Sequence, residues 1–223
     1  MLEADLPATI STHIFRILRR KIIEGELQPG KALREEEIRE QHGSSRGPIR
    51  ESLRLLLQTG LVEHQPRRGF KVRDYTPEEI RHIYALRAEL EAQVIAGLEG
   101  RNLAPLVTAL RKICAKMTAL FEANDLQGYF KENARFHGEI IQFADNRILS
   151  EVLEYVNEVS LPVRYRVMGD ALPSRRSLSY HERIVDLLAT DKIGAAIAET
   201  RQHILENVDR AVATYAEVAP SEL

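Results

Sequence analysis

Between Arg46 and Gln58 the chain specifies one helix with two faces of opposite character. Arg46, Arg50 and Arg54 recur at i, i+4 and i+8, so three guanidinium groups line one side. Ile49, Leu53, Leu56 and Leu57 fall on the other, the spacing of a stripe buried against neighbouring helices. Gly43-Ser44-Ser45 precedes this segment as a tight turn with Ser44 or Ser45 as N-cap, and a short helix over about Arg34–His42, with Ile38 inward, precedes the turn. After Gly60, Leu61–His64 and Phe70–Arg73 alternate as two short strands around Gln65-Pro66-Arg67-Arg68-Gly69. A helix that must bury one side and shows arginine on the other, followed by a hairpin with a basic tip, predicts a winged helix-turn-helix that sits in the major groove of double-stranded DNA.

The rest of the chain reads differently. Ile10, Ile14, Ile17, Leu18 and Ile22 mark a first helix closed by Gly25. Thr76-Pro77-Glu78-Glu79 carries an N-cap, a proline at the first helical position and a capping box, which sets a boundary at residues 74–79. Beyond it, helical patterns run over 77–99, 103–123, 126–144, 147–168, 174–190 and 192–216 with no strand between them. Short connections between six helices predict an antiparallel bundle. The expected fold is mostly α, with a winged helix-turn-helix domain over 1–75 and an all-α helical domain over 76–223.

Charge placement agrees with this division. The net charge of −2 conceals 14 Lys/Arg against 11 Asp/Glu through Tyr75, and 17 against 22 thereafter. A single cysteine, Cys114, lies in an apolar helical pattern and reads as a core thiol of a cytoplasmic protein. No apolar run reaches membrane-spanning length, so no membrane partner is expected. Gly25–Lys31 imitates a phosphate-binding loop, but Ala32 offers no oxygen for magnesium and a helix, not a strand, precedes it.

Ser45-Arg46-Gly47-Pro48-Ile49-Arg50-Glu51-Ser52-Leu53, Gly60-Leu61-Val62-Glu63 and Tyr84-Ala85-Leu86-Arg87-Ala88-Glu89-Leu90-Glu91, in this order across the chain, resemble the GntR family of transcription regulators. The resemblance is to its FadR-type branch, which carries an all-helical effector-binding (FCD) domain, and it covers essentially the whole length. It implies that Ser45, Arg46, Arg50 and Arg54 face DNA and that the wing around Arg67, Arg68 and Gly69 enters the minor groove. Some relatives offer DNA a basic residue where this chain has Glu36, so that contact is expected to be missing. One such unit makes few contacts, which favours a homodimer on a palindromic operator.

Three histidines lie on inward stripes of separate helices: His137 with Phe130, Asn133 and Ile141; His181 with Leu178, Ile184, Val185 and Leu188; His203 with Ala196, Thr200 and Ile204. Such imidazoles are either core groups bonded to neighbours or ligands for a divalent metal such as zinc or nickel. The resemblance implies the second, because many FadR-type domains use an Asp-x-x-x-His pair and two later histidines. Asn133 stands where that aspartate is usual, and its amide oxygen brings no charge. His13, His42, His64 and His82 lack this context.

Arg87 follows Tyr84 on an inward face, and a buried arginine requires a partner. That partner is either Glu91, one turn on, or a carboxylate effector held bidentately. Resemblance favours the effector, with Arg87 and Tyr84 as its contacts; Arg164 and Arg166 are poorer candidates. The whole reads as a ligand-responsive repressor, not an enzyme. The alternative is a helical-bundle metalloenzyme with a three-histidine site and Glu139 or Glu182 as base.

Overall fold

A computed structural model describes residues 9–169 and 175–216. The N-terminal part comprises α1 (Ile10–Ile23), β1 (Ala32–Leu33), α2 (Glu35–His42), α3 (Arg46–Gln58), β2 (Val62–Gln65) and β3 (Gly69–Val72). The strands form an antiparallel sheet in the order β1-β3-β2, with Val62 opposite Val72, Gln65 opposite Gly69 and Leu33 opposite Phe70. Of the two wing strands, β2 begins and ends one residue later than the sequence pattern predicts, and β3 one residue earlier. β1 is two residues long and carries no readable period of its own; its pairing with β3 defines it.

This part closes on its own core of Ile14, Phe15, Leu18, Ile22, Ile38, Ile49, Leu53, Leu56 and Leu61. Each such side chain contributes roughly 1.5–3 kcal/mol by leaving water. Leu57, expected in that core, is exposed, and Leu55 packs against the core in its place. Ile10 is likewise exposed at the start of α1. Ser45 occupies the N-cap position of α3, but its hydroxyl accepts no hydrogen bond there.

Thr76 opens the second part as its sequence dictates. Its hydroxyl accepts from the Glu79 amide at 3.2 Å, and the Glu79 carboxylate accepts from the Thr76 amide at 2.8 Å. The helices that follow are α4 (Pro77–Ala96), α5 (Ala104–Glu122), α6 (Leu126–Ala144), α7 (Arg147–Gly169), α8 (Arg175–Ala189), α9 (Ile193–Leu205) and α10 (Val208–Ala216). The break expected at 171–173 lies outside the described residues. The single helix expected over 192–216 is instead α9 and α10. Asn207 causes the break locally: its side-chain amide donates to the His203 carbonyl at 2.9 Å, a local alternative to the helical ladder.

α4 is the central helix and packs on α6, α7, α9 and α10. One core gathers Leu98, Leu106, Leu110, Met117, Tyr129, Phe136 and Leu153; a second joins Tyr75, Tyr84, Val159, Val163, Ile204 and Tyr215. No described helix is long and apolar enough to cross a membrane.

α7 joins the two parts. Arg19 of α1 grips Glu158 of α7 bidentately, Nε to Oε1 at 2.5 Å and Nη2 to Oε2 at 2.8 Å. Gly60, at φ +77°, brings the turn after α3 against the same helix; a Cβ there would lie 2.6 Å from Val159 Cγ1. α7 also contains Pro162, which has no N–H to give the Glu158 carbonyl, so its hydrogen-bond ladder is interrupted at the residue that holds α1.

Candidate DNA-binding surface and buried histidine site

The α2–turn–α3 unit leaves Arg46, Arg50 and Arg54 exposed on one face. Gly43 makes the turn at φ +56°, and burial of Ile49 and Leu53 rotates the arginines outward. Two of them rest on α2: Arg50 Nε lies 2.9 Å from Glu35 Oε2, and Arg46 Nη2 lies 4.0 Å from Glu36 Oε2. Exposed pairs of this kind are worth about 0–1 kcal/mol, so both guanidiniums can exchange these partners at little cost. Glu36 also pairs with Arg39, consistent with an acidic residue that keeps its own helix partner. At the wing tip Arg67 and Arg68 are exposed, Arg67 adopts φ +67°, and Gly69 adopts φ +83°.

The three inward histidines meet. His137 comes from α6, His181 from α8 and His203 from α9, and one ring nitrogen of each lies within 4.8 Å of the other two. The rings pack at 4.4 Å (His181–His203) to 5.6 Å (His137–His203). Two are oriented from behind. His137 Nδ1 bonds Glu91 Oε2 at 2.7 Å, and His181 Nδ1 donates to the Ser177 carbonyl at 2.8 Å. In both rings the lone pair is therefore on Nε2, the atom through which a ligand would be met. His203 Nδ1 is buried with no hydrogen-bond partner.

Protonation is suppressed throughout. Burial lowers His137, although Glu91 opposes the shift. Burial and neighbouring His137 take His181 down to about 3. His203 falls well below its ordinary value through burial, with His181 and His137 adding to the effect. Burial alone would raise the Glu91 carboxyl, but Arg87, His137 and Arg164 outweigh it and hold Glu91 well below the usual carboxylate range. The centre is thus three neutral imidazoles backed by one carboxylate. This is the donor set a borderline divalent ion requires, and the unpartnered His203 ring nitrogen marks a buried polar group still lacking a partner.

Asn133 and the arginines complete the site. Asn133 shares the inward face of α6 with His137, but its amide nitrogen donates to His181 Nε2 at 3.0 Å and its oxygen accepts from Arg164 Nη2 at 3.1 Å. Arg87 has the nearby partner that the helical spacing allowed: Nε lies 2.7 Å from Glu91 Oε1 and 3.2 Å from Asn157 Oδ1 of α7. Arg164, a weak candidate from sequence, is buried, while Arg166 lies against Tyr215 and Gln28. Burial, then repulsion from Arg87, brings Arg164 down to about 9. Among the described residues no carboxylate lies within ion-pair distance of Arg164.

A cavity of about 60 Å³ opens here, lined by Tyr84, Arg87, Asn133, His137, Arg164 and His203 among others, with no acidic side chain in its described wall. A second cavity of about 270 Å³ lies beyond His137 and Arg164 and reaches Asn157, Glu158 and Arg19. Glu139 and Glu182, the bases of the metalloenzyme alternative, line neither.

Comparison with known proteins accords with this arrangement. The gntR-family model of bacterial regulatory proteins matches residues 10–72, and the FCD-domain model matches residues 82–206. The transcriptional repressor RspR of Escherichia coli is 27% identical over 89% of each chain. The gluconate operon transcriptional repressor of Bacillus subtilis is 26% identical over 86% of this chain and 81% of its own. The solved structure of E. coli McbR/YncC superposes with a TM-score of 0.77 at 21% identity, covering 94% of this chain and all of that one, which shows the fold. These relatives are regulators, so the metalloenzyme alternative has no support among them. The chain belongs to the GntR family of bacterial transcription regulators, in the branch that joins a winged helix-turn-helix to an FCD effector-binding domain.

Proposed function

We propose that this regulator is a cytoplasmic, homodimeric repressor that senses a small carboxylate together with a divalent ion, zinc or nickel. Its DNA-binding unit is residues 1–75 and its sensing and dimerisation unit residues 76–223. Arg46, Arg50 and Arg54, with Ser45 at the helix start, meet the major groove; Arg67, Arg68 and Gly69 meet the minor groove. His137, His181 and His203 hold the ion, with Asn133 as a weak fourth ligand, and Arg87, Tyr84 and Arg164 receive the acid.

The observation that carries the sensing half is Arg164, a buried guanidinium without a carboxylate, beside three neutral histidines. A buried cation calls for a counter-anion, and a carboxylate fits a guanidinium bidentately. The cavity, as it stands, is sized for a small acid. One relative is named for the gluconate operon, and gluconate is a carboxylate. For the dimer, support comes from Ile148, Val152 and Tyr155, exposed at i, i+4 and i+7 along α7, and exposed Leu86 on α4. A second copy would cover such a stripe.

α7 is the route between site and DNA. Asn157 touches Arg87, Glu158 holds α1, and Arg164 lines the cavity beyond the Pro162 interruption. An acid drawn to Arg164 shifts one half of α7 against the other and alters the Arg19–Glu158 grip, which changes the placement of the DNA-binding units.

The test begins with an operator selected from random duplexes. Arg46→Ala and Arg50→Ala should each weaken binding by about 1–3 kcal/mol where the arginine reads a base, with a smaller loss on random DNA. Undiminished operator affinity of the double variant, by fluorescence anisotropy at fixed salt, would sink the recognition-helix assignment. For the sensing half, elemental analysis of gently purified wild type should find one divalent ion per chain. Each His→Ala variant should lose it while retaining operator binding. A wild type that carries no metal and takes up neither zinc nor nickel would overturn the metal reading.

A further inference from the structure

The site contains one polar group whose orientation its neighbours dictate completely. Arg164 can only donate, so the Asn133 atom at 3.1 Å from its Nη2 must be the amide oxygen. His181 has its Nδ1–H committed to the Ser177 carbonyl, so its Nε2 can only accept, and the Asn133 atom at 3.0 Å must be the NH2. Asn133 is thus wedged between a donor and an acceptor. The acceptor is the lone pair that His181 would offer to an ion.

The consequences differ from those of an aspartate at the same position. His181 can ligate through Nε2 only after releasing the Asn133 N–H. Rotation of the amide by half a turn then carries the Asn133 oxygen to the side of the three histidines and the NH2 to the side of Arg164. Two donors now face each other across about 3 Å, and Arg164 has lost the one side-chain acceptor that the structure gives it. An aspartate would present one oxygen to each side in every state and would neutralise Arg164 permanently.

We propose that Asn133 is an amide switch that makes ion binding and carboxylate binding mutually dependent: ligation at the histidines strips Arg164 of its acceptor, and a carboxylate bound between Arg164 and the rotated NH2 restores it. The switch rests on the sensing reading above and adds its logic. Each ligand alone is held less tightly than in the presence of the other. With both present, Arg164 and the Asn133 NH2 share the acid's oxygens, and the three imidazole lone pairs meet the ion. The carboxylate also offsets a centre where two guanidiniums, Arg87 and Arg164, face the single acid Glu91. The protein responds to coincidence of an ion and an acid rather than to either one.

The test is the affinity of the full-length protein for zinc, read by competition with a chelator calibrated in each buffer. The readings are taken with no addition, with acetate and with neutral acetamide, its near-isostere. In wild type, acetate should tighten zinc at least tenfold, and zinc should tighten acetate by the same factor, as linkage requires. Acetamide should do neither. In Asn133→Asp, zinc should bind more tightly without acetate and the acetate effect should shrink to twofold or less. In Arg164→Gln, zinc should still bind and the acetate effect should vanish. Zinc affinity that is indifferent to acetate in wild type overturns the switch and leaves the metal site standing. So does an equal response to acetamide, or an acetate effect undiminished in Asn133→Asp. No zinc binding by wild type overturns both the switch and the sensing reading beneath it. If either variant fails to give a native circular dichroism spectrum, the wild-type comparison of acetate with acetamide decides alone.

Discussion

At the scale of single residues, burial determines charge state, and charge state determines acid sensitivity. His137, His181 and His203 all have lowered pKa values in the folded chain, against 6.5 for an unperturbed imidazole. Below pH 6.5 the unfolded chain therefore binds protons that the folded chain refuses, and stability falls with pH. Glu91 acts in the same direction lower down: its folded pKa is depressed, so its contribution is lost as acid protonates it. The metal-free protein should lose up to about 1.4 kcal/mol per histidine for each pH unit below 6.5. Thermal melts between pH 7.5 and about 5 should show this decline, and His181→Gln should flatten it. A melting temperature constant across that range would mean that the histidines are not held neutral by the fold.

The same scale shows what sequence could and could not reveal. The three histidines were legible because each sat on an apolar stripe of its own helix, and three such stripes in one bundle have to meet. Arg164 ranks below Arg87 in sequence, and its burial follows only from the packing of α7, where Ser160 and Val167, four residues before and three after it, are buried too. Arg166, two positions on, points to a different side of the helix, and only tertiary packing decides which of the two faces the site. The hydrogen bonds of Asn133 had no sequence signal. Its orientation depends on Arg164 and His181, 31 and 48 residues away.

At the scale of elements, α7 is the part whose behaviour matters most. Glu158→Gln keeps the shape of the side chain and removes the charge that grips Arg19. Its partner is then a largely buried guanidinium without its carboxylate, and about 3–5 kcal/mol is at stake when a buried pair is broken; partial exposure of Arg19 places the loss at the lower end. The variant should bind operator but respond weakly to zinc with acetate. An unchanged response, measured by anisotropy, would exclude this ion pair as the link. Element boundaries were legible wherever a capping signal existed, as at Thr76. They failed where the cause was not in the local pattern: β1 exists because β3 pairs with it, and α9 ends because Asn207 bonds the His203 carbonyl.

At the scale of the whole molecule, two parts with separate cores share a narrow seam on α7. Gly60 sits in that seam at positive φ with Val159 and Tyr155 against it. Gly60→Ala adds both backbone strain and a clash, so a loss of about 1–3 kcal/mol is expected. Chemical denaturation should also separate into two transitions, because the seam is weakened more than either core. A neutral effect would mean that the parts are not held together there. Residues 77–223 alone should sediment as a dimer; a strict monomer at micromolar concentration would remove the dimerisation role from the helical part.

If α7 carries the signal, the buried site and the DNA-binding surface are energetically joined. Linkage allows a test without knowledge of the natural effector. Zinc affinity is measured in acetate with and without a saturating selected operator. A coupled protein should show a zinc affinity that differs by about 5-fold or more between the two conditions, within the usual range of allosteric coupling. The difference should be lost in Glu158→Gln. Equal zinc affinity on and off the operator, in wild type that binds both, would contradict the account.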